Sequence, residues 1–143
     1  MNAVVDASVA VKWYLRSASE EENAEIALKI LEAAAFGNLT LYQPPHFVAE
    51  MAAVLARLNP QEALPCLHDL LNLNLQHAES QEIYATATEL AIKFNQHVFD
   101  TLYHAVALHT PGATLITADR RYYDKVHHVG QIILLADWIS PPP

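Results

Sequence analysis

Ala3-Val4-Val5-Asp6-Ala7-Ser8 decides how the chain is read. Three apolar residues, two of them β-branched, read as a short buried strand. Asp6 ends it. A helical pattern begins at once with Val9, Lys12 and Trp13, flanked by Val11 and Leu15. The strand therefore carries a carboxylate to its own carboxyl end, at the mouth of a strand-to-helix turn. In open α/β sheets ligands bind at that edge. An Asp or Ser in this place also serves as a helix cap, so the stretch alone leaves two roles open for Asp6 and Ser8.

The same geometry recurs near the other end. Pro111-Gly112 closes a helix, Ala113-Thr114-Leu115-Ile116-Thr117 reads as a buried strand, and Ala118-Asp119 follows it. Between the two lies an alternation of short strands and amphipathic helices. Ser19 with Glu22 has the capping-box pattern for a helix through Ile26, Ile30 and Leu31, which stops near Phe36-Gly37-Asn38. Leu39 to Tyr42 is a strand. Pro44-Pro45 opens a helix to Leu58 with Phe47, Met51, Val54, Leu55 and Leu58 as its core stripe. Glu50 sits on or beside that stripe. Leu64, Leu67, Leu70, Leu71 and Leu75 read as packing or a dimer face. Leu73 to His77 is a weak strand, and Ser80 caps a further helix. Val98 to Leu108 is helical, with Asp100 near its start and His104 one turn on. Ile132 to Leu135 is the last strand. Such βα alternation predicts a parallel sheet with helices on both faces and the first strand central. Asp6 and Asp119 should then share one edge.

At 143 residues the chain reads as a single domain with a Pro-rich tail at 140–143. No apolar run reaches membrane-spanning length. An acid at position 6 and no basic region argue against a signal peptide. The lone Cys66 excludes a cysteine zinc cluster and fits a reduced, cytoplasmic setting. Gly37, Gly112 and Gly130 are isolated, so neither a P-loop nor a dinucleotide fingerprint can be built. The net charge of −8 argues against a broadly basic nucleic-acid surface. Yet Lys12, Arg16, Arg120, Arg121 and Lys125 closely follow Asp6 or Asp119, which gathers basic charge around that edge.

Asp6, Glu50, Asp100 and Asp119 would repel one another in a single cleft unless protonated or joined by a cation. Mg²⁺ or Mn²⁺ suits an all-oxygen site and can activate water against a phosphodiester. A hard cation prefers oxygen, so His104 is a weaker candidate ligand.

Val5-Asp6-Ala7-Ser8-Val9 through Lys12-Trp13, the Pro44-to-Glu50 helix, Phe99-Asp100-Thr101-Leu102-Tyr103 and Thr117-Ala118-Asp119-Arg120 together resemble the PIN domain family, and most nearly its VapC-type toxins. The resemblance runs over essentially the whole chain. It implies a three-layer α/β/α fold and a Mg²⁺- or Mn²⁺-dependent endoribonuclease. It implies a homodimer inhibited by a VapB-like antitoxin. Asp6, Glu50, Asp100 and Asp119 would be the acidic tetrad, with Ser8 and Thr117 as polar positions beside it. Asp124 matches weakly and reads as surface. Two other classes compete. A non-catalytic dimeric binding module would not need all four acids. A receiver-like phosphoacceptor domain wants a Lys after the last strand, where Ala136-Asp137 stands.

Overall fold

β1 (Asn2–Val5) lies at the centre of a five-stranded sheet in the order β3-β2-β1-β4-β5. Every pairing is parallel. The computed structural model describes residues 1–15 and 22–142. The partners of β1 are β2 (Thr40–Gln43), in register at Ala3 with Leu41, and β4 (Ala113–Thr117), in register at Val5 with Ile116. The outer strands are β3 (Gln76–His77) and β5 (Ile132–Leu134). β1 and β4 are buried almost throughout, as central strands of a parallel sheet must be.

Seven helices among the described residues flank the sheet: α1 (Ala7–Ala10), α2 (Ala24–Ala35), α3 (His46–Leu58), α4 (Ala63–Leu71), α5 (Gln81–Phe94), α6 (Val98–His109) and α7 (Arg120–Val126). This is the three-layer α/β/α arrangement expected from the sequence. α6 packs on β1, β2 and β4 and pairs with α5. Its residues from Thr101 to Ala107 are all buried, because neighbours close over it on every side. Thr101 Oγ1 donates to Ala87 O at 2.7 Å and ties it to α5.

Local signals place several boundaries. Ser80 Oγ accepts from Ile83 N–H at 3.1 Å and starts α5. α2 stops in a Schellman turn: Asn38 N–H reaches Ala33 O at 2.9 Å, and Gly37 takes φ +79°. Two expectations are corrected. The first helix is one turn only, because the chain tightens into a 3₁₀ turn at Val11–Trp13. That turn ends where the Trp13 indole donates to Ala27 O at 2.8 Å and anchors it to α2. The capping box also fails. Asn23 is left-handed at φ 63°, so α2 begins at Ala24, and exposed Glu22 stands outside it. Ser19 lies outside the described residues. In the Leu-rich helix α4, Leu70 is buried, whereas Leu64 and Leu71 face solvent.

Candidate active site

Asp6 occupies the N-cap position of α1, yet its carboxylate makes no cap bond. Both oxygens turn instead to hydroxyls. Ser8 Oγ donates to Oδ1 and Thr117 Oγ1 donates to Oδ2. Each hydroxyl is oriented from behind by a backbone amide of the β4–α7 turn. Ala118 N–H donates to Ser8 Oγ, and Asp119 N–H donates to Thr117 Oγ1, both at 3.0 Å. A hydroxyl that accepts from an N–H has its own proton free to point at the acid. Two relays thus run from consecutive amides onto the two oxygens of one carboxylate. The capping role is taken by Asp119, whose Oδ1 accepts Tyr122 N–H at 3.0 Å at the start of α7.

Glu50 and Asp100 approach from helices. Glu50 is half-buried on α3, and its Oε1 accepts from the Tyr103 hydroxyl at 2.9 Å. Tyr103 is fully buried on α6, one turn after Asp100. Burial and the Glu50 carboxylate beside it push the Tyr103 phenol well above its usual range, so it remains a donor. The four acids feel one another. Asp6 is pushed up to about 6, chiefly by loss of water around it. The two hydroxyl bonds lower it, and the charges of Asp119 and Asp100 raise it. Asp100 is also raised, first by burial and then by Glu50 and Asp119, against the opposing pull of His97 and His46. The structure therefore brings Asp6, Glu50, Asp100 and Asp119 into one electrostatic field at the carboxyl edge of the sheet.

The donor chemistry fits a hard divalent cation: every candidate ligand is a carboxylate, and the anions are held together against their own repulsion. Among the described residues no three His, Cys, Asp or Glu side chains close into a ready-made cage.

The basic residues divide. Lys12 and Arg120 line a cavity of about 310 Å³ together with Thr117 and Ala118, directly beside the hydroxyl relays. Arg121 and Asp124 stand exposed on α7 and do not line it. Arg16 lies outside the described residues. His104 is not available as a ligand. Its Nε2 donates to Gly130 O at 2.8 Å, and its Nδ1 accepts from the Tyr122 hydroxyl at 3.0 Å. Burial lowers its pKa and keeps it neutral. His127 and His128 form an exposed 3₁₀ turn, the surface role suggested by the absence of a spaced Cys or Glu partner in the sequence.

Two supporting residues had no strong signature in the sequence. Tyr103 stood out only as a helical neighbour of Asp100. Gln43 is a fully buried amide whose Oε1 accepts Val5 N–H at 2.9 Å and whose Nε2 donates to Val5 O at 2.7 Å. It replaces the backbone ladder between β1 and β2, whose registered pairs end at Ala3 with Leu41, and so fixes the peptide just before Asp6. A polar residue at the end of an apolar strand and before Pro44-Pro45 was the available clue.

Among the described residues no helix is long and apolar enough to cross a membrane. No curated protein matches the chain in sequence at a significant level. Solved structures share its fold, among them two VapBC assemblies. VapBC2 from Rickettsia felis, bound to a DNA fragment from its promoter, is similar at TM-score 0.60 and 17% identity, over 94% of this chain and 97% of that one. VapBC-1 from nontypeable Haemophilus influenzae is similar at TM-score 0.63 and 15% identity, over 96% of this chain and 100% of that one. The sequence model of the PIN domain matches residues 3–128. With the parallel sheet, the central β1 and the acids gathered at its carboxyl edge, that match shows that the chain belongs to the PIN domain family.

Proposed function

We propose that this chain is a VapC-type toxin: a Mg²⁺- or Mn²⁺-dependent endoribonuclease, a single domain working in the cytoplasm. The observation that carries the reading is the shared field of Asp6, Glu50, Asp100 and Asp119. Four acids confined in this way repel a phosphodiester on their own and need a counter-charge. A bound divalent cation supplies it, together with activation of water. The chain's residues do the rest. Ser8 and Thr117 aim the two oxygens of Asp6, Tyr103 aims Glu50, and the cap on α7 holds Asp119. Lys12 and Arg120 hold the phosphates flanking the scissile one. Water attacks phosphorus, the bond to the 3′ oxygen breaks, and the downstream fragment keeps a 5′ phosphate. The ribose 2′-OH is not the nucleophile.

Two structural neighbours are VapBC assemblies, which supports a VapB-like antitoxin as partner. An Arg placed among the four carboxylates would block them through bidentate pairing. Exposed Leu64 and Leu71 on α4 supply an apolar face for a homodimer. The test uses purified protein and a short single-stranded RNA. Cleavage should require Mn²⁺, stop in EDTA and vanish in Asp100→Asn with RNA binding kept. Cleavage that survives EDTA, or that is undiminished in Asp100→Asn, overturns the reading.

A further inference from the structure

Phe99 is 63% exposed, and it directly precedes Asp100 in the first turn of α6. A large apolar ring left in water next to Asp100 calls for a reason. Its surroundings hold it in place. The ring meets the imidazole of His46 at 5.5 Å between centroids, and that imidazole meets the ring of Tyr103 at 4.7 Å. His46 Nε2 donates to Phe99 O at 2.8 Å and pins the backbone. In this arrangement His46 Nδ1 is buried without a partner. His46 also begins α3, one turn before Glu50. The supporting row of tilted rings therefore ends at Tyr103, whose hydroxyl holds Glu50. Phe99 is a backed, oriented aromatic face on the Glu50–Asp100 side of the site.

The other side is chemically different. Lys12 and Arg120, with the single acid Glu22, line the cavity next to Thr117 and Ala118. Cations there can hold phosphate. Around Glu50 and Asp100 a bound cation is matched by the acids that hold it and leaves no surplus positive charge for a flanking phosphate, and the chain as a whole carries a charge of −8. Affinity for a nucleic acid on that side has to come from something other than charge. A nucleobase offers its uncharged π-face, and stacking on an aromatic ring tolerates any base. A base within a duplex is already stacked and cannot reach the ring.

We propose that Phe99 is a stacking platform for one unpaired nucleobase of an RNA strand, on the side of the scissile phosphate away from Lys12 and Arg120. This inference rests on the nuclease reading and deepens it: the strand is gripped by phosphate on one rim and by a base on the other.

The test uses the full chain with Mn²⁺ and mixed-sequence single-stranded RNA of about ten nucleotides, plus a set with one abasic site moved along it. Phe99 is exposed, so its variants should fold. Phe99→Ala should raise KM about ten- to hundredfold, with kcat and Mn²⁺ affinity kept. Phe99→Trp should restore KM. Phe99→Leu, which keeps apolar bulk without a π-face, should not. On the RNA missing the stacked base, wild type and Phe99→Ala should have the same KM. An unchanged KM in Phe99→Ala, or an equal penalty on every abasic RNA, overturns the platform while the nuclease reading stands. So does a Phe99→Ala protein that handles RNA normally but no longer binds a VapB-like antitoxin, because the occupant is then a protein segment. Absence of EDTA-sensitive cleavage by wild type overturns the nuclease reading, and the platform with it.

Discussion

The Tyr103 hydroxyl donates to Glu50 Oε1 at 2.9 Å and joins α6 to α3 across the acid cluster. Tyr103 is buried, so its ring is fixed by packing and its hydroxyl has one place to go. Tyr103→Phe keeps the packing and removes the bond. Stability should fall by about 1 kcal/mol, the usual net worth of a hydrogen bond. Turnover should fall about tenfold, because Glu50 then samples several rotamers. Denaturant melts and single-turnover cleavage check the two effects separately.

Asp6 gives the metal-free protein a pH dependence of definite sign. Its pKa is raised from 3.8 to about 6 by burial, so the native state binds a proton more readily than the unfolded chain. Stability from this group is fully present below pH 3.8 and is lost as pH rises through about 6. The shift corresponds to at most about 3 kcal/mol. In chelator at pH 8, Asp6→Asn should therefore be more stable than wild type, and at pH 4 it should not. Millimolar Mn²⁺ should raise the melting temperature of wild type, and Asp6→Asn should blunt the rise. Thermal melts at both pH values, with and without Mn²⁺, measure all of this.

His104 acts in the opposite direction. Burial lowers its pKa below 6.5, so the unfolded chain takes up a proton that the native state refuses. Its contribution is present above pH 6.5 and is lost as pH falls below that value. His104→Gln should remove this acid sensitivity. It should also lower stability at pH 8 by about 2 kcal/mol, since the Tyr122 hydroxyl and Gly130 O lose well-placed partners. Urea melts across pH 5 to pH 8 would show both effects, on an order-of-magnitude scale.

Gln43 closes the gap between β1 and β2. Gln43→Leu fills the same space but leaves Val5 N–H and Val5 O buried without partners. The expected loss is about 2–4 kcal/mol, one to two unsatisfied groups. Amide hydrogen exchange at Val5 should accelerate more than at Leu115, which β5 side contacts still hold through Gln131 O.

Arg120→Ala should weaken RNA binding and reduce the slope of log K against log salt by about 0.7, the single-strand value for one phosphate contact. Mn²⁺ affinity should be unchanged, since Arg120 lines the cavity beside the acids and is no ligand. Titrations at several salt concentrations measure the slope.

Ala3-Val4-Val5-Asp6 was legible as a strand ending in an acid because strand period and turn chemistry depend on adjacent residues. The same holds for Ala113 to Thr117 with Asp119, for the Ser80 cap, and for the βα alternation that makes the sheet parallel with β1 in its centre. Placement of Asp6 and Asp119 at one edge followed from that alternation. The second turn after Asp6, which tightens to 3₁₀ at Val11–Trp13, was misjudged for a tertiary reason: Trp13 is held by Ala27, fourteen positions away. What each site residue does to its neighbours was illegible for the same reason. Thr117 meets Asp6 across 111 positions, Tyr103 meets Glu50 across 53, and Gln43 meets Val5 across 38. His104 could be read either as a ligand or as a core residue until Gly130 and Tyr122 filled both its nitrogens. The sequence by itself determined which strands end in carboxylates. Only the closed sheet decided how those carboxylates are oriented, because a hydrogen bond needs two groups within about 3 Å, and only tertiary structure brings distant residues that close.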